Sequence, residues 1–67
     1  MLVLDSTKVE IAQASNGIKN KDLVSKTGLC VQTILRIKRG KPCKPETVHS
    51  IAKALNVDPA ELVKRHI

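Results

Sequence analysis

The chain contains no phenylalanine, tyrosine or tryptophan. Proteins that grip single-stranded DNA or RNA stack the bases on aromatic rings, and here only His49 and His66 could serve, so single-strand recognition is disfavoured. The same gap argues against a membrane-surface helix, whose apolar face normally carries bulky aromatic or leucine side chains. Long apolar runs are missing too. The longest, Met1 to Leu4, falls far short of the roughly 18 residues that cross a bilayer, and no basic segment precedes it as in a secretory signal. A cytoplasmic protein with no membrane contact is expected.

Cysteine is scarce. Cys30 and Cys43 are too few for a disulfide framework, and a cytoplasmic location keeps them reduced. With His49 and His66 they form no closely spaced Cys-x-x-Cys or His-x-x-x-His pair, so neither a metal site nor a cofactor is expected. Ser, His and Asp all occur, yet the chain has no nucleophile-elbow sequence and no Gly-rich phosphate loop. A chain of 67 residues also leaves little volume for a pocket. Catalysis is not expected.

What remains is one small domain over residues 1–67, with 42% hydrophobic and 27% charged residues. Its core must come from Leu, Ile, Val and Ala, and a core of that size supplies about 3–5 kcal/mol of net stability. Charge is the most informative property. The net charge is +6, and no acidic residue lies between Asp22 and Glu46. Lys26, Arg36, Lys38, Arg39, Lys41 and Lys44 fall in that interval, whereas basic and acidic side chains balance over the rest of the chain. A basic block of this kind is the footprint of a surface that meets a polyanion, and with single strands and membranes disfavoured the polyanion is duplex DNA.

The elements read as helices. Asp5 or Ser6 caps a first helix running to about Ser15, with Val9, Ala12 and Gln13 facing inward and Asn16–Gly17 as its stop. A second helix from about Asn20 to Thr27 puts Leu23, Val24 and Thr27 on one face and ends at Gly28. A third, from about Val31 to Arg39, buries Ile34 and Ile37. On its opposite face Gln32, Leu35, Arg36 and Arg39 follow helical spacing, and Gly40 ends it. Pro45 opens a fourth helix with the stripe Val48, Ile51, Ala52, Leu55, closed by Asn56. Asp58, Pro59 and Glu61 start a short fifth that contributes Leu62 and Val63. No alternating apolar run bounded by hairpin turns suggests a strand pair, so the expected fold is all-α.

The segment GIKNKDLVSKTGLCVQTILRIKRGK, Gly17 to Lys41, resembles the helix-turn-helix of the Cro and phage-repressor (XRE-type) family. The family pattern of a recognition helix ending in Arg-Gly-Lys, then a helix with an apolar-Ala-x-Ala-Leu ending, is met by Arg39, Gly40, Lys41 and by Ile51, Ala52, Ala54, Leu55. The resemblance covers about residues 7 to 64. It implies a compact five-helix, lambda-repressor-like domain, with the helix-turn-helix at about residues 20–39, acting as a sequence-specific transcriptional regulator of repressor type. Its base-reading positions fall on Val31, Gln32 and Arg36, flanked by Thr33 and Leu35. Arg36 suits guanine O6 and N7, Gln32 suits adenine N6 and N7, and Val31 suits a thymine methyl. Its backbone-contacting positions fall on Lys19, Asn20, Lys41 and Lys44, with Lys38 and Arg39 adding to the field.

The chain departs from the family in places. Asn20 stands where Gln usually opens the second helix, Val24 replaces a small Ala, and Cys30 replaces the Ser or Thr that caps the recognition helix. The family's Glu before Arg-Gly is Lys38, and the first-helix Arg that pairs with it is Gln13, so both halves of an ion pair are exchanged together. The competing reading is a protein-interaction module of antitoxin or anti-repressor type with secondary DNA binding, motivated by Leu35 on the polar face and by the apolar arm Met1 to Leu4. One recognition helix reads too few base pairs to find a unique site, so a two-fold pair on DNA is expected from a monomer or weak homodimer in solution. The resemblance implies that the copies meet through the region around the last helix, here Asp58 to Ile67, where Leu62, Val63 and Ile67 are the apolar groups.

Overall fold

A computed structural model describes residues 1–66. The order of elements is β1 (Leu2–Leu4), α1 (Ser6–Asn16), α2 (Asn20–Thr27), α3 (Val31–Lys38), α4 (Pro45–Leu55), α5 (Pro59–Leu62) and β2 (Val63–His66). The five expected helices are present, each bounded by a local cause. The Asp5 carboxylate accepts from Thr7 N (2.9 Å) and Lys8 N (3.3 Å) to start α1, and Gly17 stops it at φ 64°, where a Cβ would be strained. Asn56 plays the same part after α4 at φ 59°, the one non-glycine residue with positive φ among those described. Pro45 and Pro59 occupy first-turn positions, where the missing N–H costs nothing.

The core is aliphatic throughout. Leu4, Leu23, Ile34, Ile51, Leu55 and Leu62 are its largest fully buried side chains, drawn from β1, α2, α3, α4 and α5, and α1 adds Val9 and Ala12. Asn16 does more than end α1. Its Nδ2 donates to Ala12 O (2.9 Å) and to Leu55 O (2.8 Å), tying the C-terminal ends of α1 and α4 together.

One expectation is corrected: two short strands pair. β1 and β2 run antiparallel with Leu2 opposite His66, Val3 opposite Arg65 and Leu4 opposite Val63, and the register shifts between Val3 and Leu4. Asp5 N continues the pairing to Leu62 O at 2.8 Å. The fifth helix therefore ends at Leu62, and Val63, read as helical from the sequence, is extended (φ −76°, ψ 127°). Segments of three and four residues are too short to show an alternating pattern, and their pairing joins opposite ends of the chain, so no local turn announces it.

The apolar arm is thus part of the core, with Val3 at 2% and Leu4 at 1% exposure. The proposed pairing surface is corrected as well. Leu62 is 1% exposed and unavailable, Val63 is half-buried against the core, and Ile67 lies outside the described residues. Among the described residues no helix is long and apolar enough to cross a membrane.

Candidate nucleic-acid interface

α2 and α3 are joined by Gly28, Leu29 and Cys30. The N–H of Gly28 closes α2 on Val24 O (2.9 Å) at φ 75°, a left-handed conformation that lets the chain reverse at once. Thr27 Oγ1 accepts from Leu29 N (3.2 Å) and shapes the rest of the turn. Ile34 and Ile37 anchor α3 in the core, so its other face is presented outward. Of the positions expected to read bases, Val31 is 44% exposed, and Gln32 and Arg36 are exposed beside it. The flanking Thr33 and Leu35 are half-buried.

This face has a basic margin on each side. Arg36 shares a shallow cavity with Thr33, Lys41, Lys44 and Thr47. The loop that carries those lysines is pinned from below, because Leu2 and Cys43 exchange backbone hydrogen bonds of 2.9 Å in both directions. β1 therefore orders the loop as well as filling the core. On the other side Leu35, Lys38 and Arg39 line a groove with Asp5, Glu10, Lys64 and Arg65. Sequence reasoning passed over Lys64 and Arg65, since nothing local ties them to α3. Only the β1–β2 pairing brings them there.

The start of α2 is built differently. Lys19 precedes the helix with extended backbone (φ −93°, ψ 169°), and its N–H donates to Asp22 Oδ2 at 2.9 Å. The Lys19 carbonyl accepts from Asp22 N and Leu23 N, leaving the amides of Asn20 and Lys21 without an intrahelical partner. Asn20 does not simply face outward as a backbone contact would. Its Oδ1 accepts from Gln13 Nε2 (2.9 Å) and from Lys38 Nζ (3.1 Å), and Lys38 Nζ also donates to Gln13 Oε1 (2.9 Å). Where the resemblance implied a lost ion pair, three side chains form a closed hydrogen-bonded triangle joining α1, α2 and α3. Gln13, 8% exposed, is fully satisfied by it.

At the start of α3 the Cys30 side chain caps no backbone amide. Its Sγ lies 3.0 Å from Thr33 Oγ1 instead, and that hydroxyl, helped by backbone groups of the first turn, holds the thiol below its ordinary pKa. Cys43 is the opposite case, buried in the core and pushed up by desolvation. Among the described residues no group of three or more His, Cys, Asp or Glu side chains could hold a metal ion.

Two short helices packed across a glycine turn, the second offering an exposed face bordered by lysines, define a helix-turn-helix protein. The family model of the Cro/C1-type HTH DNA-binding domain matches residues 10–66, and the chain belongs to that family. β1 and the Asp5 cap precede the matched span. No curated protein and no solved structure matches the chain significantly.

Proposed function

We propose that the protein is a sequence-specific duplex-DNA-binding transcriptional regulator of repressor type, with α3 lying in the major groove. The observation that carries the reading is the exposed face of Val31, Gln32 and Arg36 on a helix whose other face is locked into the core. Arg36 forks onto guanine, Gln32 bridges adenine, and Val31 meets a thymine methyl, with Thr33 and Leu35 at the edges of the footprint. Lys19, Asn20, Arg39, Lys41 and Lys44 hold the DNA backbone and fix the register without reading sequence. Packing of Leu2, Val3 and Leu4 on the protein's own core accounts for the apolar arm, which removes one of the two motives for a protein-interaction module.

A single recognition helix carries too little information for a unique operator. The protein binds as a two-fold pair on an inverted repeat with half-sites about 10 base pairs apart, from a monomer or loose dimer in solution. Selection of bound sites from a random duplex library tests the sequence preference and symmetry together. A titration across salt tests the electrostatics: about 4–6 phosphate contacts per domain give a logarithmic slope of roughly −4 to −5. A random pool of selected sites, or binding that is flat with salt, would overturn the reading.

A further inference from the structure

We propose that Lys38, at the end of α3, grips a DNA backbone phosphate at the seam between α2 and α3, together with the side-chain amide of Asn20. The inference rests on the duplex-DNA reading and gives Lys38, which in the sequence only adds to the basic field, a defined phosphate contact.

The triangle fixes its own atom assignments. An ammonium has three donors and no acceptor, so the two groups that face Lys38 Nζ, at 2.9 Å on Gln13 and 3.1 Å on Asn20, are both carbonyl oxygens. The Asn20 Oδ1 is therefore turned inward, where Gln13 Nε2 also reaches it at 2.9 Å. Asn20 Nδ2 is left pointing away from the triangle with no partner among the described residues. Lys38 has one N–H left after its two bonds, and Asn20 and Lys21 contribute backbone amides that no helical carbonyl takes.

Charge decides what the seam lacks. Both acceptors of Lys38 are neutral amides, so its positive charge is held without being cancelled. It also sits beside the first residue of α2, where the helix dipole is positive and a cation is unfavourable. Asp22, the acid of that first turn, is engaged by the Lys19 N–H. Glu10 lines the groove that Lys38 borders but makes no hydrogen bond to it. The result is a half-buried cation bonded to the first residue of α2, whose side-chain amide and backbone N–H are both free, with no anion hydrogen-bonded to any of them. In the docking that places α3 in the major groove, the preceding helix crosses the sugar-phosphate backbone, which supplies that anion.

Two variants test this in the full chain. Lys38→Gln keeps hydrogen-bonding capacity and removes the charge; the double variant Gln13→Arg with Lys38→Glu replaces the triangle by an internal ion pair. Thermal melts establish that both fold. Affinity for the selected duplex and for a random duplex is then titrated against salt. Loss of one phosphate contact lowers the magnitude of the slope by about 0.9 on both duplexes. It also weakens binding at 0.1 M salt by roughly 5–10-fold, with base preference unchanged. A Lys38 that only packed the helices would leave the slope alone. An unchanged slope in both variants, with wild-type binding steeply salt-dependent, overturns the proposal and spares the DNA reading. Wild-type protein that shows no salt-dependent binding overturns both.

Discussion

The first turn of α2 is held on every side: Asp22 returns to Lys19, Asn20 joins Gln13 and Lys38, and the network spans three helices. The first turn of α3 is held by almost nothing. Cys30 caps none of its amides, Val31 and Gln32 stand exposed, and the ties to the rest of the molecule, Ile34, Ile37 and Lys38, lie further along the helix. The difference separates two tasks. A group that positions a duplex must be fixed relative to the scaffold, whereas a group that reads bases must leave its hydrogen-bonding edges unspent until DNA arrives. At the start of α2 the carboxylate of Asp22 and the carbonyl oxygen of Asn20 are engaged internally and only the Asn20 amide is left over, whereas at the start of α3 the whole Gln32 side chain is left for a partner.

The contrast depends on a scaffold that holds both starts in place, and the most severe way to break it is to remove part of that scaffold. Leu4 is 1% exposed and anchors β1, the strand whose Leu2 pins the Lys41–Lys44 loop, in the core. Leu4→Ala costs about 2–5 kcal/mol by lost burial and a cavity. That matches the roughly 3–5 kcal/mol that a domain of this size possesses. Circular dichroism should show loss of the cooperative melt at 25 °C. A melting temperature within a few degrees of wild type would mean that the arm is not part of the core.

A smaller effect sharpens the division of tasks. Arg36→Ala should cost about 1–3 kcal/mol on the best site and relax preference at one base pair. Lys44→Ala should weaken all duplexes alike and lower the salt slope by about one contact. Parallel titrations on the selected site and its single-base variants distinguish the two. Uniform weakening by Arg36→Ala would place its side chain on the backbone and shift the register assigned to α3.

The parts of this architecture that were legible in sequence are those with local causes. Gly17, Gly28 and Asn56 mark left-handed stops, Pro45 and Pro59 mark first turns, and each helix carries its stripe within a few residues, so five helices could be placed from neighbours alone. The strands could not. Their stability comes from pairing residues 2–4 with residues 63–66, and neither segment alternates. The site divides on the same line. The outward face of α3 follows from helical periodicity, and the exchanges at Gln13 and Lys38 were visible as departures. That Asn20 would close the triangle depends on how three helices meet, which no spacing along the chain records.

The mildest test concerns the two cysteines. Cys30 is exposed, and the Thr33 hydroxyl lowers its pKa, so at neutral pH a larger share is thiolate; Cys43 is buried and its pKa is raised, so it stays protonated and shielded. Lowering pKa moves the rise of alkylation rate to lower pH, and raising it does the reverse. Iodoacetamide labelling followed by mass spectrometry should therefore modify Cys30 first, with the gap widest near pH 7 and narrowing as pH rises. Equal rates would contradict the burial of Cys43. Cys30→Ser carries the comparison one step further. The backbone at position 30 is already extended, φ −75° and ψ 157°, the conformation from which a serine oxygen reaches the amides of the next turn. Supplying that cap should raise the melting temperature by a few degrees. An unchanged or lower melting temperature would show that the bond between Cys30 and Thr33 already does the work of a cap, and that the start of α3 is better held than its missing amide bond suggests.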